Sequence, residues 1–285
     1  MASSTPSTLR VLGIIPARYD SERLPGKVLL PICGKPMVQL VYEQARRSPL
    51  LNALYVATDS ERVRECCEQK RIPVLMTSTA HRNGTERILE IVERMPADVY
   101  VNVQGDEPMI SADHLRLLIE PLIYQSAPFE PSQSAPLEAP QSAPSPAYSA
   151  AFEPLKSRQV QVTTLKTPLD PEEAVNPNVV KVVTNVRGEA MYFSRAPIPY
   201  RRNQASTVPF SKHLGLYAYT RAALERFREL PVSPLEQTER LEQLRFLENG
   251  IPIHVAETAA DTIGVDTEAD WAAVTRHFEG LARQG

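Results

Sequence analysis

Val11-Leu-Gly-Ile-Ile-Pro-Ala-Arg-Tyr-Asp-Ser-Glu-Arg-Leu-Pro-Gly-Lys27 is the stretch from which the fold is read. Its first six residues, Val11–Pro16, make a continuous apolar run that is too short for a helix and reads as a buried strand. The next segment, Ala17–Lys27, is polar and carries three cations, Arg18, Arg23 and Lys27, with Gly26 just ahead of the last. A buried strand opening into a cationic loop suits a parallel α/β sheet, in which ligands sit beyond the carboxyl ends of the strands.

The same alternation continues outward from that stretch. Pro36–Arg47 carries Met37, Leu40, Val41 and Ala45 at helical spacing, and Ala53–Thr58 is a second strand. Ser60 stands where an N-cap belongs for a helix over Glu61–Lys70, and Ile72–Met76 reads as a third strand. Glu86–Met95 places Ile88, Leu89, Ile91, Val92 and Met95 on one helical face; Val99–Val103 is a fourth strand, followed by a helix from about Ser111 to Tyr124. Strands and helices alternating at this spacing predict a mostly parallel central sheet with helices on both faces. Chemistry is then expected in the loops after Pro16, Met76 and Val103. In the second half, Val160–Leu165, Val179–Asn185, Ala190–Phe193, Leu214–Tyr219 and Ile253–Glu257 read as strands. Leu224–Leu230, Leu235–Asn249 and Thr267–Leu281 read as helices. The last of these has Thr267 as cap, Asp270 three residues on, and Trp271, Val274, Phe278 and Leu281 as its inward stripe.

Between the halves the pattern breaks. QSAP occurs at Gln125–Pro128, Gln133–Pro136 and Gln141–Pro144, and eight of the 26 prolines crowd between Pro121 and Pro154. Rich in Pro, Ser and Ala, Gln125–Pro154 cannot bury enough apolar surface to offset its chain entropy, and a disordered or extended insert is expected. It is either a tolerated loop expansion or a bait for a proline-recognising partner. The chain thus divides into residues 1–124, an insert over 125–156, and residues 157–285 completing the same domain.

Bulk numbers exclude several classes. A net charge of −3 and 23% charged residues offer no broad basic surface for nucleic acid or an anionic membrane. Any phosphate binding therefore rests on a few well-placed cations. Cys33, Cys66 and Cys67 have no zinc-type spacing and suit a reducing compartment. With neither a signal-like segment nor a span-length apolar run, a soluble, cytoplasmic protein is expected.

Four motifs carry chemistry, each with a plainer alternative. Arg18, Arg23 and Lys27 can converge on a triphosphate, or form an ordinary solvated basic loop; the P-loop glycines and GKS/GKT ending are absent. In Asn102-Val-Gln-Gly-Asp-Glu-Pro108, Asp106 is placed to hold a hard cation and Gln104 to read a pyrimidine edge, though Gly-Asp is also common in turns. Asp266, in Thr262-Ile-Gly-Val-Asp-Thr267, is either a helix cap or the second carboxylate that a magnesium bound at Asp106 needs. Ala80-His-Arg-Asn-Gly-Thr-Glu-Arg87 leads into a helix whose first N–H groups can meet a ribose or phosphate, or simply be well capped.

Read as a set, IIPARYDSERLPGK, GKPM, VATD, NGTER, VNVQGDEPMI, NPNVVKVV, YFSRAPIPY, HLGLYAY, PLEQTERLEQLR and GVDT follow the order of a known family. From about Val11 to about His277 the chain resembles 3-deoxy-manno-octulosonate cytidylyltransferases, also called CMP-Kdo synthetases. The resemblance implies a Rossmann-like nucleotidyltransferase fold with a smaller dimerisation and sugar-binding lobe, a homodimer, and a magnesium-dependent reaction of CTP with Kdo giving CMP-Kdo and diphosphate. Carried over by residue, it implies Arg18 and Lys27 on the triphosphate, Gln104 on cytosine, and Gly84 and Thr85 in the nucleotide pocket. Asp106 and Asp266 would hold magnesium, and Arg195, His213, Tyr217, Glu242 and Gln243 would bind the sugar acid. Arg23 would share the diphosphate charge. The insert is longer than the family pattern, and Asn83 stands where some members carry Ser. Competing readings are a cytidylyltransferase for another acidic sugar and a non-catalytic nucleotide-binding regulator.

Overall fold

The structure, a computed structural model, describes residues 9–21, 23–81, 84–124, 159–203 and 208–283. In chain order its strands are β1 (Val11–Pro16), β2 (Pro31–Ile32), β3 (Lys35–Pro36), β4 (Ala53–Thr58), β5 (Val74–Met76) and β6 (Val99–Asn102). They continue with β7 (Val162–Leu169), β8 (Lys181–Thr184), β9 (Ala190–Ser194), β10 (Phe210–Thr220) and β11 (Ile253–Glu257). The helices are α1 (Met37–Ala45), α2 (Glu61–Gln69), α3 (Gly84–Arg94), α4 (Ala112–Ile123), α5 (Arg221–Glu229), α6 (Pro234–Glu239), α7 (Leu244–Glu248) and α8 (Glu268–Ala282).

The run that decides the fold sits mid-sheet. β1 pairs in parallel with β4 on one side and β6 on the other, and the order across the sheet is β11-β7-β10-β6-β1-β4-β5. Period-two alternation along β1 feeds two cores: Val11 and Ile15 face one, Leu12 and Ile14 the other. The first core takes Val38 and Val41 of α1, Val63 of α2 and Leu118 of α4; the second takes Ile88 and Ile91 of α3, Phe227 of α5 and Phe246 of α7. Helices therefore cover both faces, as the strand–helix alternation requires, and each buried Ile, Val or Leu contributes about 1.5–3 kcal/mol. A third, smaller core packs Val274 of α8 against Ile32, Met37 and Val265.

The central sheet is mostly parallel, as the strand–helix alternation predicts, with one exception, and several element bounds are corrected. β10 runs antiparallel to both β6 and β7, so it is the one reversed strand in the main row; β8 hangs from it and pairs antiparallel with β9. Helix Leu235–Asn249 is two helices, broken where Arg240 takes a left-handed conformation (φ 53°). The break has a visible cause: Arg245 donates to both carboxylate oxygens of buried Glu236 at 2.7 and 2.5 Å. Nine residues apart in an unbroken helix they would stand roughly 13 Å apart along the axis. The third strand begins at Val74 rather than Ile72, because Arg71 turns with φ 57°. α3 starts two residues early, at Gly84. Ser60 stands at the N-cap of α2 without a side-chain capping bond. On α8 the capping box of Thr267 and Asp270 forms, but Leu281 faces solvent, 51% exposed. The insert and Asn83 lie outside the described residues.

Candidate active site

Strand order reverses at β1: the chain steps to β4 on one side and later to β6 on the other, and the loops that follow β1 and β6 meet there. The meeting is close enough to demand glycine. A Cβ on Gly105 would lie 2.6 Å from the Pro16 carbonyl oxygen, closer than side-chain carbons come to backbone. Gly26, at φ 69°, bends the other loop and is held by its N–H to the Tyr19 carbonyl at 2.8 Å. That bend aims Lys27 inward. Its ammonium donates to Asp106 Oδ2 at 2.5 Å and to Asp266 Oδ1 at 2.8 Å, while Arg23 Nη2 lies 2.7 Å from Asp266 Oδ2. The backbone N–H of Val265 also donates to the Asp106 carbonyl at 2.8 Å, binding the two aspartate loops together. Burial pulls the Lys27 pKa down, but the two carboxylates outweigh it and the group ends above the ordinary lysine value. It is a charged ammonium.

Beside this cluster opens a cleft of about 620 Å³. Gly84, Thr85 and Gln104 line one side of it; His213, Tyr217, Glu242 and Gln243 line the remainder. Gln104 Nε2 is fixed by the Gly215 carbonyl at 3.2 Å. His213, Tyr217, Tyr219 and Phe246 form a row with ring centroids 5.4, 5.6 and 5.8 Å apart. Burial drives the His213 pKa down to about 3, so its ring is neutral, with Nε2 at 3.0 Å from Thr164 Oγ1. Burial pushes the Glu242 carboxyl up to about 7, against a hydrogen bond from Thr85 and the charge of Arg245. Asn102 Oδ1 and Glu242 Oε1 are buried here without a partner, which a polar ligand would correct. Neutral His, Tyr, Gln and Asn groups around a narrow cleft suit a polyhydroxylated ligand, with the anion-binding cations at its mouth.

Most sequence-expected residues thus come together, and two do not. Arg18 is exposed beyond the lining, with Nη1 at 3.4 Å from the His81 carbonyl. Arg195 stands behind the wall: Nε donates to the Glu239 carbonyl at 2.8 Å and Nη1 to the Pro177 carbonyl at 2.9 Å. Conversely, Asn176, Asn178, Lys212 and Tyr219 line the cleft without having been assigned a role. All four lie inside the quoted motifs NPNVVKVV and HLGLYAY or border them, so the signal was present but unassigned.

Among the described residues no group of three or more His, Cys, Asp or Glu is arranged to hold a metal. Asp106 and Asp266 nevertheless converge on one cation. Two carboxylate oxygens converging on one point fit magnesium, which takes one or two carboxylates and completes its shell with other oxygens and water.

Residues 12–255 match the cytidylyltransferase family model. A 3-deoxy-manno-octulosonate cytidylyltransferase of Acidobacterium capsulatum is 48% identical over 268 residues, covering 94% of this chain and 96% of that protein. Its counterpart in Escherichia coli is 41% identical, covering 90% and 91%. A solved structure of CMP:2-keto-3-deoxy-manno-octonic acid synthetase complexed with CTP superposes with a TM-score of 0.81 at 38% identity, over 95% of this chain and 99% of that one.

Proposed function

The chain belongs to the cytidylyltransferase family, and from that premise we propose how its own residues transfer CMP from CTP to 3-deoxy-manno-octulosonate (Kdo). In this reaction the anomeric hydroxyl of Kdo attacks the α-phosphorus of CTP in line. The P–O bond to the β-phosphate breaks, diphosphate leaves with the bonding pair, and the hydroxyl proton passes to solvent or to a phosphate oxygen. Positioning and charge neutralisation carry most of the barrier lowering in such a displacement.

Gln104, held by Gly215, reads the cytosine edge, and the start of α3 at Gly84 and Thr85 receives the ribose side. Arg23 and Lys27, with Arg18 approaching from the rim, take the triphosphate and then the charge of the departing diphosphate. Asp106 and Asp266 would hold magnesium, whose contribution when bound is to polarise the α-phosphate and lower the pKa of the attacking hydroxyl. His213, Tyr217, Glu242 and Gln243 read the sugar hydroxyls, and Arg195 braces that wall from behind. A homodimer is supported by the exposed apolar residues Val186 (96% exposed), Tyr200 (88%) and Met191 (63%) around β8 and β9, and light scattering on the purified chain tests it. A cytoplasmic setting is supported by three free cysteines; among the described residues no helix is long and apolar enough to cross a membrane.

One observation carries the reading: Asp106 and Asp266, far apart in sequence, meet on Lys27 at the mouth of a polar cleft. The test is diphosphate release from CTP and Kdo with and without Mg²⁺, against UTP and sialic acid. Release that needs CTP, Kdo and Mg²⁺ together is expected. Equal release with UTP, or undiminished release in chelator, would remove the Gln104 or the carboxylate assignment respectively.

A further inference from the structure

Lys181 opens β8 with its side chain fully buried, and its ammonium is spent on main-chain carbonyls: Asn176 at 3.0 Å, Val179 at 2.6 Å and Arg195 at 2.6 Å. A lysine ammonium has three N–H donors, and here three acceptors receive them. Burying a charge is costly, and an apolar side chain would fill the same space without that cost. What an apolar side chain lacks is the ability to hold three carbonyls at once. Two of them belong to the turn 176–179, whose residues Asn176, Pro177 and Asn178 are exposed to solvent and have little apolar packing to keep them in place. The third lies one residue past β9, and Arg195 reaches back from there to donate to the Pro177 carbonyl at 2.9 Å. Lys181 and Arg195 together thus bind the carbonyls of Asn176, Pro177 and Val179. Glu239 locks the brace, accepting from the Ser194 hydroxyl at 2.6 Å and the Arg195 N–H at 2.9 Å.

The turn held this way is a wall of the cleft, since Asn176, Asn178, Val179 and Val180 all line it. The Val180 carbonyl accepts from His213 N–H at 2.8 Å, so the wall is continuous with the strand that carries His213 and Tyr217. We infer that Lys181 is a positioning residue for the acceptor sugar: its buried ammonium fixes the turn 176–180 in the shape that receives the sugar acid, and it leaves the nucleotide half of the site alone. The inference rests on the cytidylyltransferase reading for what fills that part of the cleft. Burial lowers the Lys181 pKa, with Arg195 acting in the same direction and Glu239 against it, as expected for a cation kept in place by dipoles rather than a close counter-ion.

The test is Lys181→Met, which keeps the volume and removes the donors, assayed by diphosphate release with each substrate varied in turn. KM for Kdo is expected to rise at least tenfold, KM for CTP to stay within twofold, and kcat at saturation to fall by less than KM rises. A purely structural role would instead lower the active fraction and leave both KM values unchanged. An unchanged KM for Kdo, or an equal rise for both substrates, overturns the inference. If Lys181→Met does not accumulate as folded protein, Pro177→Gly loosens the same turn without touching the ammonium. The same split supports the inference there, and an unchanged KM for Kdo overturns it. Failure of the activity reading is distinguishable because it shows in the wild type as no release with Kdo. The variants are then compared on whichever acidic sugar the wild type accepts.

Discussion

Lys27→Met removes the cation that sits between Asp106 and Asp266, and two opposite consequences follow from the same contacts. In the free protein the ammonium occupies the point on which both carboxylates converge, at 2.5 and 2.8 Å, so a divalent ion entering there must displace it. The Asp106 contact is largely buried, with Lys27 12% and Asp106 27% exposed, and a charged hydrogen bond of that kind is worth about 1.5–3 kcal/mol net. Asp266 is 39% exposed, which reduces its contact to the surface range of about 0.5 kcal/mol. A metal binding without nucleotide therefore forfeits roughly 2–3.5 kcal/mol to the lysine, equivalent to about 30- to 400-fold in affinity. Lys27→Met should bind Mn²⁺ or Mg²⁺ more tightly than wild type by that factor in titration calorimetry of the nucleotide-free protein. It should also turn over at least ~10²-fold more slowly, because the cation proposed to meet the departing diphosphate is gone. Tighter metal with slower chemistry separates this account from simple damage, which weakens both. Metal affinity equal to or below wild type in a folded Lys27→Met protein would refute the placement of the metal between these two carboxylates.

Asp106→Ala and Asp266→Ala should each lower kcat at least ~10²-fold, about 2.7 kcal/mol of barrier, with a smaller change in KM for CTP; near-wild-type turnover in steady-state assays would remove that residue from the site. Glu107, wedged beside Asp106 and accepting from Thr262 Oγ1 at 2.9 Å, has its pKa raised by burial and by the Asp106 charge to about 7 from 4.5. A raised carboxyl favours the folded state while protonated, so this contribution is lost as pH climbs from about 4.5 through about 7. Glu107→Gln does not titrate, and its melting temperature in chelator should gain on wild type across that window, level off above it, and show no gain near pH 4; a pH-independent difference would contradict this. Gly105→Ala puts a carbon 2.6 Å from the Pro16 carbonyl oxygen, an overpacking that costs about 1–3 kcal/mol. It should lower the melting temperature and cut turnover at least tenfold by parting the loops that carry Lys27 and Asp106, whereas wild-type kinetics would show that the loops adjust without consequence.

How much of this was legible in the sequence varies with distance along the chain. β1, β4 and β11 were read to the residue, because a short apolar run bounded by polar segments is a local signal. The reversed direction of β10 was not, since an apolar strand buried on both faces looks alike whichever way its neighbours run. The β2–β3 hairpin escaped because each strand is two residues long and its turn relies on the positive φ of Cys33 (49°) and Gly34 (78°). The break at Arg240 escaped because the Glu236–Arg245 pair that stabilises it joins residues nine positions apart, a pairing that no helical spacing announces. Within the site, the cation loop and Gln104 announced themselves beside strand ends. Asp266 alone read as a cap, and the resemblance supplied its pairing with Asp106. Nothing local marks two residues for the same ion when Asp266 meets Lys27 across 239 positions. Arg195 shows the same limit: its motif shows a guanidinium, but only the fold shows that Nε and Nη1 donate to the Glu239 and Pro177 carbonyls.

The charges at the mouth of the cleft complete a further step. Arg23 and Lys27 bring two positive charges, Asp106 and Asp266 two negative ones, and in the free protein they satisfy each other. Nucleotide alone would draw the cations away and leave two carboxylates facing phosphate, and metal alone would strand the cations. A magnesium–nucleotide complex would resolve both halves together, with its metal on the carboxylates and its phosphates on the cations. The self-paired site therefore favours the complex over either component, and metal and CTP should bind with positive, reciprocal coupling. Calorimetric titration of CTP with and without Mg²⁺, and of Mg²⁺ with and without CTP, should give the same coupling factor once CTP–Mg²⁺ association in solution is accounted for. Independent binding would mean that the ion pairs around Lys27 are not exchanged for ligand contacts.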